Sequence, residues 1–150
     1  MEVLRKAGLD DAEVLAQFYK QLALESQGRR VDLDLLRKSL QHALTSQSAH
    51  ILLIQVGPKP VASLRFRDHW NLMKAAYVYD IDGVYVTPEH RRQGLYRKLF
   101  EAVRDIAGHG DPVLRVEVEE GNTGAQEALK HMGLARSSAL IFATDASTGS

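Results

Sequence analysis

The fold is decided by residues 84–97, which read Val-Tyr-Val-Thr-Pro-Glu-His-Arg-Arg-Gln-Gly-Leu-Tyr-Arg. The β-branched and aromatic start predicts a strand, Thr87-Pro88 predicts a turn, and an amphipathic helix follows. A turn that opens a helix presents free backbone N–H groups and the positive helix end, and both attract phosphate. Arg91 and Arg92 add full charge, and Gly94 leaves room for a ligand beside the main chain. We therefore predict a phosphate-binding turn; the alternative is a surface turn with a solvated basic cluster.

Composition is that of an ordinary globular protein. The chain has 150 residues, 45% of them hydrophobic and 25% charged, which fits one domain with a proper core. The formal net charge is zero, which argues against a nucleic-acid partner because such binders carry a basic excess. The absence of cysteine excludes disulfides and a cysteine nucleophile. The six histidines show no metal-ligand spacing, so no metal is expected.

The ends of the sequence carry further expectations. The start, Met-Glu-Val-Leu-Arg-Lys, lacks the apolar core of a signal peptide, and no apolar run approaches the length of a membrane span. We expect a cytoplasmic protein with no membrane partner. Residues 1–145 are predicted to form one domain, and the polar residues 146–150 a disordered tail.

Hydrophobic periodicity predicts the element order β-α-α-β-β-β-α-β-α-β. Strands are predicted at residues 2–6, 50–56, 61–67, 75–86, 113–118 and 138–143. The first helix should begin at Asp10, with Glu13 completing a capping pair, and the second near Asp32. The third follows Gly94, with a buried face of Leu95, Leu99, Ala102, Val103 and Ile106, and the fourth spans residues 122–132. Residues 68–74 are predicted to form a loop that carries Trp70.

The turn resembles motif A of the GNAT superfamily of N-acyltransferases, whose signature is Arg/Gln-x-x-Gly-x-Gly/Ala after a Val-x-Pro turn. Arg91 to Tyr96 match it, except that Tyr96 replaces the final small residue. Asn122-Thr123-Gly124-Ala125, followed by Met132-Gly133-Leu134, is similar to the family's Asn-x-x-Ala…Gly-Phe segment, with Leu134 in the aromatic position. The resemblance covers residues 3–143. It implies an α/β (α+β) fold with a mixed, mostly antiparallel sheet, splayed at the motif A strand and flanked by about four helices.

The resemblance also implies an N-acetyltransferase that transfers the acetyl group of acetyl-CoA to a primary amine by direct attack in a ternary complex. The pyrophosphate would lie on the backbone N–H groups of residues 92–97, and the pantetheine arm would pair with the edge of residues 84–86. The N–H of Val86 would stabilise the oxyanion. The cofactor-binding residues would be Val84, Tyr85, Val86, Arg91, Arg92, Gln93, Gly94, Leu95, Tyr96, Arg97 and Asn122.

Amine attack requires a base, because at pH 7 only roughly one lysine-like amine in a thousand or two is neutral. Asp80 and Asp82 lie two residues apart on the strand that leads into the motif, so they share a face and are the predicted catalytic residues. A structural carboxylate pair is an equal alternative, and Glu117 is a third candidate base.

The leaving thiolate marks a departure from the family. The tyrosine that many members use as general acid falls at Leu129. Tyr96 or Tyr85 could substitute, although both also fit ordinary half-buried aromatics. A thiol of pKa near 8.5 can leave with little protonation, so the loss of that acid should not abolish transfer.

The acceptor and the assembly stay open at this stage. Acidic residues near the site suit a cationic amine, which could be a small molecule, an amino acid, a peptide N-terminus or a lysine. His69 and Trp70 could frame the pocket or pack as a hairpin tip. A non-catalytic module that senses acyl-CoA is the competing function. A homodimer is one of the assembly states left open.

Overall fold

Five strands form one sheet in the order β1-β2-β3-β4-β5 in the computed structural model, which describes residues 1–46, 50–108 and 111–145. The strands are β1 (Glu2–Lys6), β2 (His50–Val56), β3 (Lys59–Asn71), β4 (Ala76–Val86) and β5 (Val113–Val116). The first four are antiparallel neighbours, and β5 pairs with β4 in parallel. The predicted mixed, mostly antiparallel sheet is confirmed.

Four helices cover the two faces of this sheet: α1 (Ala12–Gln27), α2 (Leu33–Thr45), α3 (Leu95–Ala107) and α4 (Thr123–His131). Side chains of β2 contribute to a hydrophobic core on each face of the sheet, because successive side chains of a strand point to opposite faces. Ile51 and Leu53 pack under α1 and α2, and Leu52 and Ile54 pack under α3 and α4. The predicted β-α-α-β-β-β-α-β-α order is confirmed as far as α4.

The start of α1 differs from the prediction. Residues Leu9–Asp11 form a 3-10 turn before the helix, so Asp10 is not the N-cap. Asp11 instead faces inward: its carboxylate accepts two hydrogen bonds of 2.8 Å from the Arg5 guanidinium and one of 2.8 Å from the Gly8 N–H. The Arg5 hydrogen bonds are the main reason that the pKa of Asp11 is lowered, and burial opposes them.

Replacing Asp11 with asparagine should lower the free energy of unfolding by roughly 1–3 kcal/mol at pH 7, because a partly buried charge-assisted network loses its negative charge and one of its two acceptor oxygens. The lowered pKa makes this stabilisation fully present above the ordinary aspartate range. It is lost as pH falls through the folded-state pKa, since the unfolded chain takes up the proton first. Urea unfolding at neutral and acid pH measures both. Asp34→Asn is the control, because Asp34 pairs with Arg37 at an exposed site; equal losses for the two variants would contradict this account.

Several predicted boundaries are wrong. Strand β3 continues through residues 68–71, which had been predicted as loop, and the turn to β4 is confined to residues 72–75. Ile106 is 48% exposed, whereas Phe100 is buried on the core face of α3. No strand forms at residues 138–143, and β5 stops at Val116. The predicted disordered tail, 146–150, lies outside the described residues.

Neither a helix suited to cross a membrane nor a group of side chains suited to hold a metal ion occurs within residues 1–46, 50–108 and 111–145. No helix in these ranges is long and apolar enough to cross a membrane. No group of three or more histidine, aspartate or glutamate side chains there is arranged to hold a metal ion.

Candidate active site

The turn between β4 and α3 presents a run of free backbone donors. A 3-10 turn, Pro88–His90, is followed by Arg92 at φ +64° and Gly94 at φ +80°, and α3 begins without a side-chain cap. The first helical bond runs from Lys98 N–H to the Gly94 carbonyl. Among the described residues, no acceptor binds the N–H groups of residues 92–97. Such a run at a positive helix end suits an anionic group.

Arg91 is engaged elsewhere. Its guanidinium pairs with Glu25 of α1 at 2.6 Å, donates from Nε to the Val86 carbonyl at 2.9 Å, and lies 5.5 Å from the centre of the Tyr85 ring. It therefore ties α1 to the end of β4. Arg92 and Arg97 are exposed, and the described part of the chain contains no ion-pair partner for either.

Strands β4 and β5 separate at the level of Asp82. Their register ends at Ile81 opposite Val116, and the last bond between them runs 3.3 Å from Glu117 N–H to the Ile81 carbonyl. Within the described part of the chain, the remainder of β4 has a free edge on this side, as the predicted splay requires. A cavity of about 250 Å³ occupies the opening. Its walls come from α1, β4, α3, the end of β5 and the start of α4, and its lining includes Tyr19, Asp82, Val84, Tyr96, Glu117 and Asn122.

A β-bulge in β4 decides which side chains face the cavity. The register with β3 shifts between Ser63 and Arg65, so two residues of β4, Gly83 and Val84, lie opposite one residue of β3. Before the bulge, Tyr79 and Ile81 pack toward α3; after it, Val84 and Val86 do so. Asp80, Asp82 and Tyr85 consequently share the α1 side of the sheet. In the sequence, only Gly83 itself marks the place of this change of parity.

Tyr19 of α1 is a site residue that the sequence analysis missed. It sits on the apolar stripe of α1, which gave no reason to separate it from core aromatics. Its ring lies against Gly83, where φ is +61°, and a Cβ at that position would overlap the Tyr19 hydroxyl. Burial, with a smaller contribution from the Asp82 charge, raises the pKa of this phenol. Tyr19 therefore stays neutral at the cavity wall beside Asp82.

Gly83→Ala should destabilise the protein by more than backbone strain alone explains. A left-handed φ costs a non-glycine residue roughly 1–3 kcal/mol, and overpacking adds a similar amount. Gly57→Ala is the matched control, because Gly57 has φ +58° and open space around its Cα. Urea unfolding of both variants isolates the overlap with Tyr19. Equal losses would show that the ring moves aside freely.

The two predicted bases lie in different surroundings. Asp82 lines the cavity, and its Oδ1 lies 3.1 Å from Arg65 Nε, an ion pair without an aligned hydrogen bond. Burial is the main cause that raises the pKa of Asp82, with Arg65 and Arg67 opposing it. Asp80 does not line the cavity and pairs instead with His69 Nε2 at 2.9 Å. A carboxylate that faces the cavity and has a raised pKa is the better placed proton acceptor.

The two tyrosines that could replace the general acid also lie in different places relative to the cavity. Tyr96 lines the cavity and stacks on Phe100 at 5.2 Å, and burial raises the pKa of Tyr96 to about 12. Tyr85 faces away, with its hydroxyl 3.4 Å from Glu25. Leu129 is buried in the core under α3, so its position contributes no polar group to the cavity. Tyr96 is therefore the better placed of the two tyrosines named from the sequence.

The rim of the cavity combines structural and exposed groups. The Asn122 side chain caps α4 by accepting from the Ala125 N–H at 3.3 Å, so this predicted cofactor residue has a structural role. Gln27 of α1 donates a hydrogen bond of 2.8 Å to Glu119, which links α1 to the segment between β5 and α4 at the edge of the cavity. Trp70 packs on Tyr77 at the β3–β4 tip, 5.2 Å between ring centres, and does not line the cavity. The hairpin-tip alternative thus describes Trp70.

The sheet that opens beside a helix with free N–H groups is the architecture of an acyl-CoA-dependent transferase. Residues 15–134 match the model of the acetyltransferase (GNAT) family. The chain therefore belongs to this family and is a GNAT-type N-acetyltransferase, with acetyl-CoA as the co-substrate that the family implies. A search of curated protein sequences found no significant match.

Solved structures support the same fold. A crystal structure described as a possible acetyltransferase from Clostridium difficile 630 superposes with a TM-score of 0.84 at 25% identity, covering 95% of this chain and 96% of that one. Ribosomal-protein-alanine N-acetyltransferase from Brucella melitensis biovar Abortus 2308 gives 0.77 at 17% identity, covering 95% and 99%. A GCN5-related N-acetyltransferase from Ralstonia eutropha JMP134 gives 0.73 at 18%, covering 97% and 99%. The last two similarities concern the fold alone.

Proposed function

We propose that this enzyme acetylates a primary amine that enters the cavity from the α1 side, and that Asp82 accepts the proton of that amine. The observation that carries the proposal is the place of Asp82: it lies where β4 and β5 separate, lines the cavity and has a pKa raised by burial. A raised pKa makes a carboxylate a better base while it remains ionised at neutral pH.

The turn between β4 and α3 offers suitable donors for a pyrophosphate. The N–H groups of residues 92–97 lack acceptors among the described residues, and the space around Gly94 is open. We assign the phosphates to these N–H groups and to the Arg92 and Arg97 side chains, and the pantetheine amides to the free edge at Val84 and Val86. When bound, acetyl-CoA supplies an acetyl thioester. Arg91 acts indirectly in this assignment, by fixing the turn to α1.

Asp82 and the Val86 N–H have different roles in the proposed reaction. The carboxylate takes a proton from the ammonium group, directly or through a water, so that a neutral amine attacks. The Val86 N–H stabilises the oxyanion that develops. Collapse of the tetrahedral intermediate breaks the C–S bond and releases the thiolate, which takes up the proton that the newly bonded nitrogen loses; with a thiol pKa near 8.5 the sulfur can leave before it is protonated. We assign the Tyr96 hydroxyl as the group that donates a hydrogen bond to the departing sulfur.

Thiol release from acetyl-CoA, followed with a chromogenic disulfide, tests the proposal on a panel of polyamines, amino acids, peptide N-termini and lysine peptides. We expect at least one amine to accelerate release above the hydrolysis seen without acceptor. Tight acetyl-CoA binding with no turnover across the panel would instead support a non-catalytic sensor. The buried Leu129 in place of the usual acid is the observation that favours that second function.

We further infer that residues 1–145 act as one catalytic domain. The two cores lie on the two faces of one sheet, and the cavity draws walls from elements at both ends of the chain, α1 and α4. The cytoplasmic location stays a prediction from the sequence.

A further inference from the structure

Two rows of charged side chains cross the sheet on its α1 side, and the first row lies at the cavity. In this row Arg65 of β3 is the register partner of Asp82 of β4. Glu117 lies on the other side of Asp82, because its N–H binds the carbonyl of Ile81. A neighbour of each along its strand packs toward α3, so the three charged side chains share the α1 side. One guanidinium and two carboxylates give the first row an excess of one negative charge.

The second row lies two residues away along the strands, about 7 Å from the first. It consists of Asp80 of β4 and its register partners on both sides, Arg67 of β3 and Arg115 of β5. Asp80 pairs with His69 at 2.9 Å. Arg67 and Arg115 are exposed, and neither has an ion-pair partner within the described part of the chain. Two guanidinium groups and one carboxylate give the second row an excess of one positive charge.

We propose that the acceptor is a small zwitterion, a primary amine that also carries a carboxylate, as a free amino acid does. Its ammonium group lies at the first row beside Asp82, and its carboxylate binds the guanidinium groups of the second row, whose long side chains can reach toward the cavity. The second ammonium group of a diamine or polyamine would instead meet Arg67 and Arg115. These two arginines are therefore specificity-determining residues. The inference rests on the proposed function, because it takes Asp82 as the place of the amine.

Thiol release from acetyl-CoA with glycine, serine and leucine, each compared with its carboxamide, tests the proposal. For Arg67→Gln combined with Arg115→Gln, kcat/KM for the amino acids should fall at least tenfold, because the carboxylate loses both guanidinium partners. The values for the amides should change less than threefold. Each acceptor is compared between proteins, so differences in amine pKa between acceptors cancel. Arg104→Gln combined with Arg136→Gln is the matched control, because it removes two exposed arginines that do not line the cavity, and it should leave both values unchanged.

Calorimetric titration of the same acceptors into the protein saturated with coenzyme A gives a readout that does not require turnover. The wild type should bind the amino acids at least tenfold more tightly than their amides, and the Arg67→Gln, Arg115→Gln variant should bind both alike. Arg67→Glu should reverse the selectivity and favour 1,4-diaminobutane. Equal affinity for acids and amides in the wild type, or a preference that survives both substitutions, would overturn the proposal. Carboxylate-dependent binding without turnover of any acceptor would support this substrate class and contradict the role proposed for Asp82.

Discussion

Asp82→Asn should lower the acetyl-transfer rate by roughly 10²–10⁴-fold, the usual contribution of a general base. Acetyl-CoA affinity should change little, because in our proposal the carboxylate acts on the amine. Steady-state rates with saturating acceptor, together with calorimetric titration of acetyl-CoA, separate the two effects. The loss should shrink as pH rises, since a growing share of the amine is then neutral without help.

Asp80→Asn is the matched control for this experiment. Asp80 shares the face and strand of Asp82 but pairs with His69 and does not line the cavity. We expect it to retain a rate within a few-fold of the wild type. A low transfer rate for Asp80→Asn together with a wild-type rate for Asp82→Asn would show that Asp80, and not Asp82, is the general base. Wild-type rates for both would assign both carboxylates to structure, and Glu117, which also lines the cavity, would be the next residue to replace.

Gly94→Val should weaken coenzyme A binding at least tenfold. No atom of the described residues lies within 4 Å of the position that a Cβ would take at Gly94, so the free protein has room for the side chain. The branched group would occupy the space in which we place the pyrophosphate beside the backbone. Calorimetric titration of coenzyme A measures the loss, and circular dichroism reports whether the fold is kept.

Gly57→Val separates this effect from backbone strain. Gly57 also has a positive φ and open space around it, but it lies in the β2–β3 turn, away from the cavity. Both variants should lose a similar amount of stability, and only Gly94→Val should lose affinity. Unchanged affinity in a folded Gly94→Val variant would contradict the assignment of the pyrophosphate to the N–H groups of residues 92–97. Equal loss in both variants would attribute the effect to the fold.

The sequence could predict those elements whose pattern is local. The observed bounds of β1 and β2 are the predicted ones, β2 because it is almost continuously apolar, and α2 begins directly after Asp32, which caps it by accepting from the Asp34 N–H. Residues 68–71 were misassigned because their side chains show no apolar alternation; hydrogen bonding with β4 holds them in the strand. Residues 138–143 have the composition of a strand, but strand formation needs a partner that composition does not specify.

The candidate site was predictable where a motif fixes the backbone and unpredictable where tertiary contacts select the side chains. The turn at Arg92 and Gly94 follows from glycine and helix chemistry. Arg91 could not be separated from Arg92 by sequence, because its pairing with Glu25 joins positions 66 residues apart. Tyr19 reaches the site only because α1 crosses β4 at the Gly83 bulge. Similarly, Asp80 and Asp82 are equivalent by periodicity and differ through His69, Arg65 and the cavity.

The free edge of β4 beyond Ile81 means that, in our assignment, the acyl donor completes the sheet. A ligand that binds only the folded chain stabilises it by mass action, by about 2.7 kcal/mol at a hundred times its dissociation constant. The melting temperature should therefore rise with acetyl-CoA concentration. In a cell short of acetyl donor, more of the protein would be unfolded and open to proteolysis. The abundance of the enzyme would then follow the supply of its own substrate, without any dedicated regulator.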